Sequence, residues 1–284
     1  MRVLVPVTAV LAYAVSLTAL IIWPPLTLLI FLVTRPFDRN RVVTGRFYRL
    51  LPAVWSRSFP FWRIHIEGQW PARGAYVIVP NHQSFLDIFV LCNIHQEWKW
   101  VAKRELFKIP MFGWGFSLTG SISLDRGDLA SAKSVMEKSR RYIEDGISVL
   151  IFPEGTRSED GKLLPFKPGA FKLAIETGAP VLPIAISGSA EGMPKGGPWV
   201  RPAQITVRIL EPVSTTGLTG RDVRRLREIV RNRIARALGQ DGPATESSNG
   251  APSSSRAEST ERAAPIAVPP QAELAATDQT QRSS

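Results

Sequence analysis

Hydrophobic and polar positions along the chain alternate between two periods, with a long apolar stretch in front and a polar tail behind. From Val3 to Val33 no residue is charged. Further on come short apolar runs of strand length: Ala75–Pro80 (AYVIVP), Ser148–Pro153 (SVLIFP) and the run VLPIAIS. WRIHIEG and QITVRIL instead alternate, as half-buried strands do. EWKWVAKREL reads as a strand followed by a basic turn, and Ser121–Arg126 (SISLDR) as a short strand ending in a charged pair. Between them, Leu129–Asp145 has helical spacing, with Val135, Met136, Tyr142 and Ile143 on its apolar face. Gly169–Glu176 is a second, shorter helix. Over Asp222–Leu238, Val223, Leu226, Val230, Ile234 and Ala237 step by three and four, so a C-terminal helix docks through one stripe and turns its arginines outward. Strands separated by helices predict an α/β sandwich around a largely parallel central sheet.

The apolar front changes this picture. A straight helix over Val3–Val33 would run about 46 Å, beyond a hydrocarbon core of about 30 Å. Pro24–Pro25 is expected to break it. Two arrangements remain: one kinked or tilted span, or two shorter helices that enter one leaflet and return. Ala12–Tyr13–Ala14 resembles a signal-peptide cleavage site, but the apolar run continues well past it. Arg35, Arg39, Arg41, Arg46 and Arg49 follow, against Arg2 before, which places the downstream chain on the cytoplasmic side of an inner membrane. Gly45–Arg63 interleaves Phe47, Tyr48, Trp55, Phe59, Phe61 and Trp62 with arginines. Either these rings sit at lipid headgroups or the segment is a helix packed on the domain. The expected division is therefore residues 1–60 membrane-associated, 61–240 the α/β domain, and 241–284 a tail. That tail has no aromatic residue and is expected to be disordered.

Of 284 residues, 35 are basic and 24 acidic, a formal net charge of +11. The tail from Asp241 carries six acids and three arginines, net −3, so the preceding 240 residues carry +14 (11 + 3). Such a body suits anionic partners: nucleic acid, phospholipid headgroups or a phosphorylated substrate. The single cysteine, Cys92, lies in an apolar helical context, which excludes an internal disulfide and predicts a buried, inert thiol. His65, His82 and His95 show no metal-ligand spacing, and the first and last of them read as structural. There is no P-loop or dinucleotide fingerprint.

Candidate chemistry concentrates in two stretches. In NHQSFLD (Asn81–Asp87), His82 sits in the turn after the Ala75–Pro80 strand. Asp87 lies in the first turn of the following helix, for which Ser84 is the expected N-cap. A carboxylate that accepts a hydrogen bond from one imidazole nitrogen fixes the tautomer and leaves the other nitrogen to take a proton. Spacing by itself is more often that of a surface His–Asp pair or a satisfied turn histidine. The second stretch, FPEGTRS (Phe152–Ser158), places Glu154, Gly155, Thr156 and Arg157 at the end of a strand, where open α/β sheets bind ligands. Arg157 carries a planar fork suited to phosphate.

The two together, about seventy residues apart, resemble the glycerolipid acyltransferase family and within it the 1-acylglycerol-3-phosphate acyltransferases, which pair an NHxSxxD motif with FPEGTRS. Arg126 of SISLDR and Lys103 of VAKREL match the family's phosphate-contacting positions. APVLPIAI around Pro183 resembles its last motif, on the acyl-donor side. The resemblance, over roughly Phe61 to Val213, implies the family's αβ sandwich and transfer of an acyl group from acyl-CoA or acyl carrier protein to the sn-2 hydroxyl of lysophosphatidic acid. No other cofactor is implied. It assigns His82 and Asp87 to catalysis. Lys103, Arg126, Glu154, Gly155, Thr156 and Arg157 go to the substrate, with Glu154 and Gly155 shaping the glycerol site. Without a G-x-S-x-G elbow, a serine acyl-enzyme lacks its usual support, so direct transfer with His82 as general base is expected. Backbone N–H groups near the helix start after Asn81 are candidate oxyanion donors. Two other readings stay open: a different lysophospholipid or lyso-amino-acid lipid as acceptor, and a non-catalytic basic protein of membrane surfaces or nucleic acid. The first motif pair speaks against the last.

Overall fold

The computed structural model describes residues 21–71, 74–194 and 200–240. The possible cleavage site, the first part of the charge-free stretch and the tail expected to be disordered lie outside them. Seven strands form one sheet: β1 (Trp62–Glu67), β2 (Val77–Pro80), β3 (Trp98–Lys103), β4 (Ile122–Leu124), β5 (Ser148–Leu150), β6 (Val181–Ser187) and β7 (Ala203–Ile209). Their order is β1-β7-β6-β2-β5-β3-β4. Every pairing is parallel except that of β6 with β7. Strand character follows position. All of β2 and nearly all of β6 are buried on both faces, whereas β1 and β7 alternate in and out.

Helices cover both faces. On one lie α2 (Val42–Ser58), α3 (Leu86–Leu91) and α5 (Phe112–Leu118), around an aromatic core that includes Tyr48, Phe59, Trp62, Trp98, Trp100 and Phe116. On the other lie α6 (Leu129–Glu144), α7 (Gly169–Thr177) and α9 (Val223–Ala237), over Val77, Val149, Phe171, Leu226, Val230 and Ile234. Two further helices, α4 (Arg104–Phe107) and α8 (Ser189–Gly192), are one turn long. The α/β architecture with a mostly parallel sheet is the one that the alternating periods predicted.

The front of the chain departs from expectation. Residues 21–34 form one helix, α1, straight through Pro24 and Pro25. The prolines remove two N–H donors without breaking the helix, and two residues on the Thr27 hydroxyl donates to Trp23 O at 2.8 Å. It turns over residues 35–41 into α2, whose first N–H groups at Val42 and Val43 donate to the Asp38 carboxylate. Trp23 stacks on Phe47 with centroids 4.5 Å apart, joining the two helices. Among the described residues no helix is long and apolar enough to cross a membrane.

Of the two readings of Gly45–Arg63, the packed helix is the one seen. Tyr48, Phe59 and Trp62 are buried, and Trp55 lies against Phe59, Trp62 and Phe89. Arg49, counted among the membrane-flanking arginines, is also buried. It pairs with Glu97, donates to Trp98 O and lies over the Trp98 ring. Glu97 accepts from Lys99 Nζ at 2.9 Å as well. Burial pulls the Lys99 ammonium below its ordinary pKa while Glu97 opposes that shift. This buried network fastens α2 to β3.

Candidate active site

β2, β5, β3 and β4 are adjacent and parallel, so the loops leaving their carboxyl ends share one edge of the sheet. His82 follows β2, Glu154–Arg157 follow β5, Lys103 closes β3 and Arg126 follows β4. At about 4.8 Å per strand, these ends fall within roughly 15 Å of one another.

His82 and Asp87 meet as their spacing predicted: His82 Nδ1 lies 2.8 Å from Asp87 Oδ2. Asp87 is fully buried, while the imidazole keeps 15% of its surface open. The same Asp87 oxygen accepts the N–H groups of Gln83 (2.7 Å) and Ser84 (2.9 Å), so the turn holds the carboxylate before the imidazole does. This narrows the set of expected oxyanion donors. The N–H groups of Gln83 and Ser84 go to Asp87, that of His82 to Glu154, and that of Leu86 to Ser84 Oγ. Helix α3 also starts one residue later than expected, at Leu86 with Phe85 as its N-cap. The Ser84 hydroxyl, on a fully buried residue, takes the Leu86 N–H and donates to Met193 O at 2.6 Å, a tie between two loops.

Asn81, the first residue of the motif, has a task that sequence reading missed. Its side-chain amide donates to Ile186 O at 2.9 Å and accepts from Ile186 N at 2.7 Å, imitating one more rung between β2 and β6. The turn that carries His82 is thereby locked to the sheet.

The second motif grips the first. Glu154 Oε1 accepts the His82 N–H at 2.7 Å, and Ser158 N–H donates to His82 O at 2.9 Å, so both backbone groups of His82 are held by the FPEGTRS loop. Glu154 Oε2 accepts Leu164 N–H at 3.1 Å. Burial pushes the Glu154 carboxyl up to about 7. The two backbone hydrogen bonds and Arg231 pull against that shift, and the Asp87 charge adds to it. Gly155 turns the loop at φ +69°, a conformation that favours glycine. Thr156 is exposed and Arg157 half-buried.

Phe152 is a further member that sequence reading passed over. Its ring stacks on the His82 imidazole with centroids 3.9 Å apart and planes at 21°, and Trp100 stacks behind it. The only available sign was an aromatic residue at the strand end, next to the charged loop. Lys103 and Arg126 both face solvent. Lys103 makes a surface pair with Glu105 at 3.2 Å, and the residues beside them, Arg104 and Asp125, bridge β3 to β4 at 2.8 Å.

His65 and His95 lie elsewhere, exposed on β1 and after α3. Cys92 is buried, and burial pushes its thiol up to about 12. Among the described residues no cluster of His, Cys, Asp and Glu is built to hold a metal ion.

An acyltransferase family model matches residues 62–187, which include both motifs and Lys103 and Arg126 between them. A 1-acyl-sn-glycerol-3-phosphate acyltransferase of Limnanthes douglasii is 32% identical over 212 residues, 73% of this chain and 73% of its own. A chloroplastic protein of the same name from Brassica napus is 36% identical over 208 residues. That match takes in 71% of this chain and 58% of the relative, so the chain spans little more than half of its length. In three dimensions the chain is similar to the crystal structure of the 1-acyl-sn-glycerophosphate acyltransferase PlsC of Thermotoga maritima. The TM-score is 0.66 and the identity 26%, over 84% of this chain and 98% of that one.

Proposed function

The chain belongs to the family of 1-acyl-sn-glycerol-3-phosphate acyltransferases, and from that membership we propose that it acylates the sn-2 hydroxyl of 1-acylglycerol-3-phosphate, forming phosphatidic acid. The donor in this reading is a fatty acyl thioester, on coenzyme A or on acyl carrier protein. The observation that carries the reading is the His82–Asp87 contact at 2.8 Å, with the His82 backbone held on both sides by the loop that bears Arg157.

The chemistry proceeds in one transfer. Nδ1–H of His82 donates to Asp87, so the Nε2 lone pair faces the acceptor and takes the hydroxyl proton as the oxygen attacks the thioester carbonyl. The tetrahedral intermediate collapses, the C–S bond breaks, and the leaving thiolate recovers the proton from the imidazolium. Asp87 stabilises that transient cation, and the face of Phe152 adds a smaller cation–π contribution. Lys103, Arg126 and Arg157 take the acceptor's phosphate, one to three strands away from His82, with Thr156 at the loop's exposed tip. That separation suits a glycerol 3-phosphate whose hydroxyl reaches the imidazole while long cationic side chains reach its phosphate. In this reading Glu154 acts from beneath as a positioning residue for His82, and Gly155 gives the loop its turn.

Residues 1–60 attach the 61–240 transferase domain to the cytoplasmic face of the inner membrane. What supports this is the exposure of Ile22, Leu26, Leu29 and Val33 on α1 and of Leu50 and Val54 on α2, together with exposed Arg35, Arg39, Arg46 and Arg57. Apolar side chains enter the acyl layer and arginines meet headgroup phosphates. The test is a labelled acyl-thioester assay of the purified protein against a panel of lysolipids. Phosphatidic acid from lysophosphatidic acid as the main product is the expected result. Transfer to an acceptor without a phosphomonoester, in preference to it, would sink the assignment.

A further inference from the structure

The FPEGTRS loop is covered by one more cation, which neither motif contains. Lys167 sits just before α7, and its backbone N–H donates to Pro153 O at 2.8 Å, fixing this residue beside the loop. Its side chain folds back over Gly155. A Cβ placed on that glycine would meet Lys167 Nζ at 2.9 Å, Cε at 3.0 Å and Cδ at 3.3 Å. Gly155 directly follows Glu154, whose carboxylate holds the His82 N–H, so the ammonium lies over the loop that positions the base.

Nearby lysines find carboxylates: Lys103 pairs with Glu105, Lys162 with Asp160, and Lys172 with Glu176. Among the described residues the Lys167 ammonium has no hydrogen bond or ion pair. Glu154, which precedes Gly155 in the loop, turns inward and gives both oxygens to backbone N–H groups. An ammonium held by its stem against a loop that carries Arg157, with no counter-ion of its own, is a place where an anion lowers the energy of both cations.

Resting on the proposed acceptor, we infer that Lys167 is a further phosphate-binding residue, which closes over the phosphomonoester of lysophosphatidic acid from the Gly155 side. The glycine serves this contact as well as the turn, because any side chain at position 155 would push the ammonium away. A phosphomonoester carries close to two charges and three acceptor oxygens, so a compact ammonium adds to the forked guanidinium of Arg157 without competing for its geometry.

The test uses the full-length protein and two substitutions. Lys167→Met keeps the aliphatic stem over Gly155 and removes the charge; Lys167→Arg keeps the charge. The KM for lysophosphatidic acid should rise roughly tenfold in Lys167→Met, the loss expected for one charge-assisted hydrogen bond. The KM for the acyl donor and kcat should hold, and Lys167→Arg should recover most of the loss. An unchanged acceptor KM in Lys167→Met overturns the inference, as does a parallel rise in both KM values, which marks a structural role. Wild-type protein that transfers no acyl group to lysophosphatidic acid overturns the functional reading and this inference with it. Wild-type transfer that is indifferent to Lys167→Met overturns the inference alone.

Discussion

Replacing Glu154 with glutamine separates positioning from stability in a way few substitutions allow. At about pH 8 the wild-type carboxylate is mostly ionised and accepts two N–H groups, from His82 at 2.7 Å and Leu164 at 3.1 Å. Glutamine retains one acceptor oxygen and turns an NH₂ toward the other donor. Leaving a buried N–H unsatisfied costs about 1–3 kcal/mol. Against this stands the burial of the charge itself. Raising the carboxyl from 4.5 to about 7 corresponds to about 3 kcal/mol in favour of the neutral form. The two effects oppose each other, so above pH 7 the variant's unfolding free energy should lie within about 2 kcal/mol of wild type.

The sign of the pH dependence follows from the raised pKa. Between pH 4.5 and about 7 the unfolded chain loses this proton before the folded one does, so the contribution of Glu154 is fully present at the acid end and is lost as pH rises through about 7. Glutamine removes that slope. Catalysis responds differently. Once the His82 N–H loses its acceptor, the imidazole drifts from the acceptor hydroxyl, and displacements of about 1 Å can lower turnover roughly 100-fold. Well below pH 7 the wild-type carboxyl is itself protonated, so the gap in kcat/KM between the two proteins should narrow as pH falls. The assays are kcat/KM profiles and urea unfolding of both proteins across that range. A gap that stays constant with pH, or a destabilisation above about 3 kcal/mol, refutes the reasoning.

Other outcomes follow from the same geometry. Arg126→Ala and Arg157→Ala should each raise the acceptor KM roughly tenfold and leave the donor KM in place, as steady-state kinetics with each substrate varied would show; an unmoved acceptor KM in both would remove the phosphate assignment. Cys92→Ala should leave transfer unchanged. The native chain should take no label from an alkylating reagent at neutral pH, because the thiol is buried and pushed up to about 12; mass spectrometry showing rapid native labelling would contradict that.

The sheet was readable from the sequence because its central strands are continuous apolar runs and its helices carry clean stripes, as in Val77–Pro80 and Val223–Ala237. The His82–Asp87 pair was readable for a local reason, since both groups belong to one strand–turn–helix passage of six residues. What escaped depends on partners distant in sequence. Glu154 was assigned to the glycerol, yet its carboxylate lies under the His82 turn, reached only when β5 pairs beside β2. Phe152, Asn81 and Lys167 draw their positions from the same crossing of segments. Arg49 was counted with the arginines that flank an apolar stretch, and only the tertiary fold reveals Glu97 and Trp98 waiting for it. At Pro24–Pro25 the local rule was overruled. The helix accommodates both prolines, with Thr27 adding a hydroxyl bond to Trp23 O and Trp23 itself stacked on Phe47.

The claim on which the account turns is that the His82 imidazole removes the proton from the acceptor hydroxyl. The most direct measurement is kcat for transfer from a labelled acyl thioester to lysophosphatidic acid by purified His82→Ala protein, matched to wild type in unfolding profile and acceptor affinity. A fall of about 10²–10⁴-fold is the expected result. Turnover within about tenfold of wild type, from a folded variant that still binds the acceptor, would contradict it.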